Sequence, residues 1–429
     1  MTREIKANAA QRAGAKAISM NTTSETRVGL AFQGGSFLGG AVATGTLAAL
    51  VDEKMFEKHG VQVFSGTSAG AIVAAVCWCY ATKGAINGLK PQDAMAPVPP
   101  LLRKLWLHNA RRLPDLLLNP AGLATLIPTQ WHGDMLKFLD QTARHNWFYD
   151  KLMQVFWAKS LRCVFRAWIR QYIKPEDLRP CVEWVYNMLC PIRDKLCPQD
   201  LTIEAFEKKA KEEFAKDHSL PRFVFGSADV LKGRIMGFSE YDVAVAVYDA
   251  HENAISDGAT KETALSLALD AGVERFYDFV EASGSLEEIN DKTTIADGPY
   301  AGVYLDGAWG QNPALDEMID FDIREIWIVE IFPKTIAELP ESFSARRDRQ
   351  EELWQNSLVE HELHMVNKVN EWIDKGYFTA EAPFNKIVTR RIPIRLDFTP
   401  GARIVNWEPY LVDKIAHGYA NGSSFAAAL

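Results

Sequence analysis

The chain of 429 residues has few cysteines and no run of apolar residues long enough to suggest a membrane span. Its six cysteines include no Cys-x-x-Cys spacing, and we expect free, buried thiols in a reducing cytoplasm. Residues 1–26 are polar and lack the apolar segment of a secretory signal. We therefore expect a cytoplasmic protein with a polar N-terminal extension.

The chain also lacks an excess of basic charge and any nucleotide-binding signature. Its net charge is −8, and no recognised nucleic-acid-binding module is present, so we expect no nucleic-acid partner. The glycine-rich stretch at 33–40 does not match Gly-x-x-x-x-Gly-Lys-Ser/Thr, and the strand at 61–64 has no clear acidic residue at its end for a dinucleotide. An oxyanion is therefore the favoured ligand of this loop.

Hydrophobic residues make up 48% of the chain, which is ample for a core. Apolar strands are predicted at 27–32, 223–229, 325–331 and 392–398, and helices at 41–50, 71–76, 260–282 and 346–374. The absence of an internal repeat or a long low-complexity linker favours one catalytic domain with an insertion.

Ser68 lies in the sequence Gly66-Thr67-Ser68-Ala69-Gly70, between a short strand and an apolar helix. A serine on such a turn is a nucleophile elbow, whose flanking glycines avoid a clash between a Cβ and the neighbouring backbone. The helix that follows directs its free N–H groups at the serine and favours an oxyanion there. The alternative is an ordinary helix cap beside a buried strand.

Two other glycine motifs accompany the elbow. Residues 33–40 follow the first strand and precede a helix, an arrangement that turns several backbone N–H groups toward one point. We interpret this loop as an oxyanion hole facing Ser68. Far downstream, an apolar strand ends in Asp306-Gly307-Ala308, which alone would predict only a turn.

Together, the Gly-Gly loop, the Gly-Thr-Ser-Ala-Gly elbow and the late Asp-Gly-Ala resemble the three signatures of the patatin-like phospholipases, lipid acyl hydrolases with a Ser-Asp dyad. The stretches at 223–233 and 282–286 also resemble family segments, and the resemblance spans residues 27–425 in the family's order. It implies a three-layer α/β/α hydrolase with a central, mostly parallel sheet. The chain departs from the family at Leu38, where Arg or Lys is usual, and at Glu287, where proline is common.

The resemblance also implies a mechanism. Ser68 attacks the acyl carbonyl, Asp306 takes the serine proton directly and later activates water, and no metal or organic cofactor is needed. The turns of the site depend on glycines at 66, 70 and 307, and the oxyanion is held by backbone N–H groups of Gly34, Gly35 and Ser36. The expected substrate is a lipid or another acyl ester.

Three alternatives remain open from the sequence. His417, which follows Asp306 in the order of a Ser-Asp-His triad, is a minor candidate base. His361 and His364 lie in a charged helical stretch and are expected on a solvated face. With the same dyad, the chain could be a general carboxylesterase or a polyester depolymerase, and without catalysis it could be a lipid-binding or scaffold protein.

Residues 95–215 form a predicted helical insertion that is basic and rich in tryptophan. Between 101 and 195 there are 15 Lys or Arg against 8 Asp or Glu, and six of the twelve tryptophans lie there. Within it, Arg166 and Arg170 belong to the basic face of one predicted amphipathic helix. This face predicts a cap that contacts an anionic membrane, and the alternative is a core-packed helix with a solvated basic face. The sequence leaves the oligomeric state open.

Overall fold

The structure is a computed structural model that describes residues 26–108, 110, 159–193, 209, 221–285, 292–336, 339, 343–378, 384–394 and 408–429. Residues 1–25 of the predicted N-terminal extension, much of the 95–215 insertion, Glu287 and the end of the predicted strand at 392–398 lie outside the described residues, whereas Thr26 begins β1.

Within the described residues, eight strands form one sheet in the order β5-β6-β3-β2-β1-β7-β8, with β4 also paired to β3. Strands β1, β2, β7 and β8 run parallel to their neighbours, β3 is parallel to β2, and the β4, β5 and β6 pairings are antiparallel. The fold is therefore mixed α/β with a central, mostly parallel sheet, as predicted. In chain order the strands are β1 (Thr26–Phe32), β2 (His59–Thr67), β3 (Arg222–Asp229), β4 (Arg234–Ser239), β5 (Thr293–Ile295), β6 (Gly302–Asp306), β7 (Glu325–Val329) and β8 (Val388–Ile392).

Helices surround the sheet. Short 3-10 helices follow β6 at Gly307–Trp309 and at Asp316–Asp320. The α-helices of the described residues are α1 (Ser36–Asp52), α2 (Met55–Lys58), α3 (Ala69–Ile86), α4 (Pro91–Met95), α5 (Val98–His108), α6 (Lys159–Tyr172), α7 (Pro175–Arg193), α8 (Glu240–Ser256), α9 (Lys261–Ser283), α10 (Phe343–Asp374) and α11 (Glu408–Ala428).

Alternation along the strands divides the core between the two faces of the sheet. On β7, Trp327 and Val329 join the larger apolar cluster, which includes residues of α1, α3 and α9. The intervening Ile326 and Ile328 join a second cluster with side chains of α10. Because both faces are covered by helices, the strands are apolar on both sides and the molecule has three layers.

Helix α3 is long and apolar enough to cross a membrane by length and composition, which the sequence analysis did not anticipate. However, 72% of this segment is buried inside the protein, as expected for a core helix. Cys77 and Cys79 on α3, and Cys181 on α7, are free and buried, in agreement with the expectation for these three residues, and the side chains of Cys163, Cys190 and Cys197 lie outside the description.

The structure corrects the environment predicted for Arg166 and Arg170 on the basic face of α6, and the side chains of Lys159 and Arg162 on the same face lie outside the description. The Arg166 guanidinium binds both carboxylate oxygens of Glu281 at 2.8 Å and also pairs with Asp278 and Glu274 on α9. Arg170 also pairs with Glu274. These two arginines face a row of carboxylates spaced along α9, so they contribute to a helix–helix contact and not to a freely solvated surface. Membrane contact by the 95–215 region stays a prediction.

The late strand lies earlier than predicted. It spans Val388–Ile392, so the basic stretch that was predicted to begin it, with Arg390 and Arg391, lies within it. Arg390 binds Glu325 through two hydrogen bonds at 2.7 and 3.0 Å, and Arg391 binds Glu330 at 2.7 Å. Glu325 lies on β7 and Glu330 directly after it. Ion pairs between the edge strand β8 and its neighbour β7 therefore compensate the charge of the two arginines.

Candidate active site

Ser68 occupies the single position between the end of β2 and the start of α3. Its backbone has φ 57° and ψ −127°, in the region that L-residues rarely adopt, which is typical of a nucleophile elbow. Its side chain makes no capping hydrogen bond to the helix, so the helix-cap alternative does not describe it. The residue is only 4% exposed.

The two elbow glycines lie where the chain approaches itself closely. A Cβ on Gly66 would lie 2.2 Å from the carbonyl oxygen of Gly70, and a Cβ on Gly70 would lie 2.2 Å from the carbonyl oxygen of Phe32. Side chains at either position would collide with backbone, in one case the first turn of α3 and in the other the end of β1. The tight turn that presents Ser68 therefore depends on both glycines.

Strand β3 brings Ser68 and Asp306 together. Its residues 224–229 pair with β4 on one edge, so β2 and β6 occupy consecutive stretches of the other edge. There Thr67 is the partner of Gly226, and Asp306 is the partner of Ser227. The C-terminal ends of β2 and β6 thus meet, and Ser68, which follows Thr67, comes next to the end of β6.

Asp306 is fully buried, and its carboxylate has a fixed orientation. One oxygen, Oδ1, accepts a hydrogen bond from the Ala308 N–H at 2.8 Å, so Asp306 caps the 3-10 helix that follows. A Cβ on Gly307 would lie 2.2 Å from the carbonyl oxygen of Gly226, so the turn after Asp306 lies directly against β3. This close contact agrees with the predicted importance of Gly307 for the turn.

The end of α9 holds the backbone of both candidate residues. The Ser68 N–H donates to the Ser283 carbonyl at 3.0 Å, and the Asp306 N–H donates to the Ser285 carbonyl at 2.9 Å. The Ser283 hydroxyl adds a contact to the Ser68 N–H at 3.2 Å and donates to the Gly226 carbonyl at 2.5 Å. The sequence of this segment resembles a family segment but did not predict that it holds both residues.

The glycine-rich loop lies directly on Ser68. A Cβ on Gly34 would lie 2.7 Å from the Cβ of Ser68. However, the Gly34 N–H donates to the side-chain oxygen of Asn312 at 2.6 Å, so this predicted oxyanion donor already has a partner. Gly35 caps α1 and Ser36 begins it, and N–H groups at these positions have no acceptor within their own helix. They are the better candidates for binding an oxyanion.

Leu38, the residue that departs from the family, is fully buried in the larger apolar cluster. A charged side chain at this place would be desolvated without compensation, so a leucine suits the core that this chain builds. The loop therefore carries no basic side chain at position 38, and backbone dipoles supply its positive potential.

A cluster of acidic side chains forms around the 3-10 helix Asp316–Asp320, after the turn that follows Asp306. The sequence did not predict this cluster. Burial, together with the neighbouring carboxylate of Asp316, raises the pKa of Glu317 to about 8. Burial also raises the pKa of Glu362, which lies on α10. Gln311 donates to both Asp316 and Glu317, and its carbonyl accepts from the Thr67 hydroxyl at 2.9 Å. The cluster is thus connected to the residue that precedes Ser68.

The histidines considered from the sequence have surface positions. His361 and His364 are exposed on α10, as expected. His417 is 38% exposed, and its Nδ1 lies 2.8 Å from the carbonyl oxygen of Asp413, one turn earlier in α11. This is the environment of a helix surface residue, whereas Asp306 is the group that the sheet brings to Ser68.

No protein-family model and no curated protein matches the chain. Among solved structures, it is similar to the crystal structure of VipD from Legionella pneumophila, with 12% sequence identity and a TM-score of 0.29. The match covers 94% of this chain and 67% of that chain. A likeness at this level does not indicate a function. The function is therefore inferred from the geometry of the site.

Proposed function

We propose that the chain is a serine hydrolase of carboxylic esters, with Ser68 as nucleophile and Asp306 as the base that acts on it without a histidine. The observation that best supports the proposal is one of position: the strained Ser68 and the buried Asp306 lie at adjoining strand ends along the same edge of β3. A hydroxyl and a carboxylate held in this way can form the nucleophile–base pair that acyl transfer requires.

The proposed reaction has two halves. In the first, the Ser68 hydroxyl gives its proton to Asp306 while Oγ bonds to the acyl carbon, and the N–H groups of Gly35 and Ser36 bind the oxyanion. The tetrahedral intermediate then expels the alcohol, which takes the proton from Asp306, and leaves an acyl-enzyme. In the second half, Asp306 removes a proton from water, the hydroxide attacks the acyl carbon, and Ser68 recovers its proton as the carboxylic acid leaves.

The proposed substrate is an acyl ester of a lipid, hydrolysed in the cytoplasm or at a membrane surface. The proposal of a lipid substrate is supported by the order and spacing of the three motifs that resemble the patatin-like phospholipases. Contact of the 95–215 insertion with an anionic membrane belongs to the same proposal. A carboxylate is a weak base at neutral pH, so an ester is a more suitable substrate than an amide.

The test is release of fatty acids from a mixed extract of phospholipids, glycerides and storage polyester, followed by mass spectrometry. We expect wild type to release fatty acid from a lipid and Ser68→Ala and Asp306→Asn to release none. Asp320→Asn, which changes an exposed carboxylate at the end of the second 3-10 helix, should act as wild type. Release from the polyester alone, or hydrolysis of short soluble esters alone, would favour a depolymerase or a general carboxylesterase. A folded protein that hydrolyses none of these would contradict the proposal and favour a binding protein.

A further inference from the structure

The hairpin between β3 and β4 exposes apolar side chains at its tip. Residues 230–235 are all exposed, and among them Leu231 is 74%, Val230 47% and Ile235 40% accessible. Single exposed apolar residues are common on protein surfaces, but three within six residues of one hairpin form a local patch.

The hairpin extends beyond the C-terminal end of β2, where Ser68 lies. Strand β3 is parallel to β2 and continues for three residues after Gly226, which is the partner of Thr67. At about 3.3 Å per residue, the end of β3 is about 10 Å beyond the level of Thr67. The tip is thus the part of this hairpin that would reach a surface presented to the candidate active site.

A tryptophan extends the apolar surface toward the catalytic turn. Trp309 is 56% exposed and lies on the 3-10 helix that directly follows Asp306. The next residue, Gly310, lies so close to the hairpin that a Cβ on it would be 2.0 Å from the Ile235 side chain. Val230, Leu231, Ile235 and Trp309 are called the hairpin patch below.

Positive charge accompanies the hairpin patch. The side chains of Lys232 and Arg234 are 45% and 50% exposed, and both lie near one carboxylate oxygen of Asp229, at 3.3 and 3.7 Å. Since two cations share one fully buried carboxylate, the tip has an excess of one positive charge. Lysine and arginine with long aliphatic stems, aliphatic side chains and an indole are the residue types that bind the interface of an anionic bilayer.

We propose that the hairpin patch docks on an anionic lipid surface. The charge of the tip selects this occupant, because the two cations complement acidic headgroups while the three aliphatic side chains and the indole enter the boundary of the acyl chains. The proposal rests on the proposed function in that docking would bring acyl esters to Ser68. It differs from the contact predicted for the 95–215 insertion, because it assigns the lipid surface to a hairpin of the catalytic sheet.

The test is co-sedimentation of the full chain with vesicles, in a Ser68→Ala background so that lipid is not consumed. Vesicles of phosphatidylcholine with phosphatidylglycerol are compared with phosphatidylcholine alone. Leu231→Asp is compared with Leu267→Asp, a matched control because Leu267 is 53% exposed on α9. We expect Leu231→Asp to weaken binding to the anionic vesicles by at least about fivefold and Leu267→Asp by less than about twofold.

A smaller effect of Leu231→Asp, or an equal effect of Leu267→Asp, would overturn the docking proposal. Self-association through the hairpin would also overturn it. In solution without vesicles, the Ser68→Ala protein would then have a higher oligomeric mass than the same protein with Leu231→Asp. Hydrolysis of a short soluble ester by Leu231→Asp with Ser68 intact is measured separately and is expected to equal wild type. A protein that binds vesicles through the hairpin patch but hydrolyses no ester would keep the docking proposal and contradict the proposed function.

Discussion

Ser283 accepts a hydrogen bond from the backbone N–H of Ser68 through both its carbonyl, at 3.0 Å, and its hydroxyl, at 3.2 Å. The hydroxyl also donates to the buried carbonyl of Gly226, the residue beside which the ends of β2 and β6 meet. Through Ser283, the end of α9 therefore fixes the strained elbow to the strand that lies beside Asp306.

Ser283→Ala should impair both stability and catalysis. Loss of the hydroxyl leaves the Gly226 carbonyl without this donor, so we expect the free energy of unfolding to fall by about 1–3 kcal/mol. A looser elbow misplaces the nucleophile, and we expect kcat for a soluble ester to fall about tenfold or more with little change in KM. The control is Ser285→Ala, whose hydroxyl bonds to Glu281 and Thr293 instead. If Ser283→Ala had wild-type kcat, the hydroxyl would have no positioning role.

Asn312→Ala should separate the structural role of Gly34 from a catalytic one. The Asn312 side chain binds the Gly34 N–H and donates to Gln355 at 2.7 Å, so it connects the glycine-rich loop to α10. If Asn312 only holds the loop, its loss destabilises the fold by about 1–3 kcal/mol and lowers turnover. Faster turnover in the variant would instead mean that the freed Gly34 N–H binds the oxyanion. Asn356→Ala is the control, because Asn356 lies beside Gln355 on α10 but donates to the Pro333 carbonyl and not to the glycine-rich loop.

Glu317 should make stability depend on pH. Its pKa is raised from 4.5 in the unfolded chain to about 8, so the folded protein retains a proton that the unfolded chain has lost between these values. The contribution of Glu317 to the free energy of unfolding is therefore fully present below pH 4.5 and is lost as the pH rises through about 8. We expect the Tm of Glu317→Gln to decrease less than that of wild type between pH 5 and about 8. Asp320→Asn, at the exposed end of the same 3-10 helix, should leave the change of Tm with pH as in wild type. If Glu317→Gln also showed the wild-type change of Tm with pH, Glu317 would not be the group responsible.

Arg166→Met should destabilise the protein. Glu281 is 2% exposed, so removing the guanidinium leaves a buried carboxylate without its bidentate partner. We expect the free energy of unfolding to fall by about 3 kcal/mol or more, measured by denaturant titration. Arg103→Met, on an exposed position of α5, should change it little. Equal stability of the two variants would mean that Arg166 is more solvated than its contacts indicate.

Local sequence patterns predicted much of the fold. The strand predicted at 27–32 is β1, the helix predicted at 260–282 is α9, and the glycine spacing around Ser68 predicted its turn. The helix predicted to begin at residue 41 begins at Ser36, because packing overrides the low helix propensity of Gly39 and Gly40.

Features that depend on distant parts of the chain were not predictable from local patterns. The partner of Gly34 is Asn312, and the partners of Arg166 lie on α9, more than 100 residues away in each case. A helical pattern indicated that Arg166 lies opposite an apolar face but not that a row of carboxylates covers it. The fold of the sheet, and not any local signal, also places the end of β6 beside the end of β2.

The central claim is that Ser68 is a nucleophile activated by Asp306, and the most direct measurement is labelling with a fluorophosphonate probe followed by intact mass and peptide mapping. We expect one adduct on Ser68 in wild type, none in Ser68→Ala, and labelling of folded Asp306→Asn that is slower by about 100-fold or more. An adduct at another residue, or labelling of Asp306→Asn at the wild-type rate, would contradict the claim.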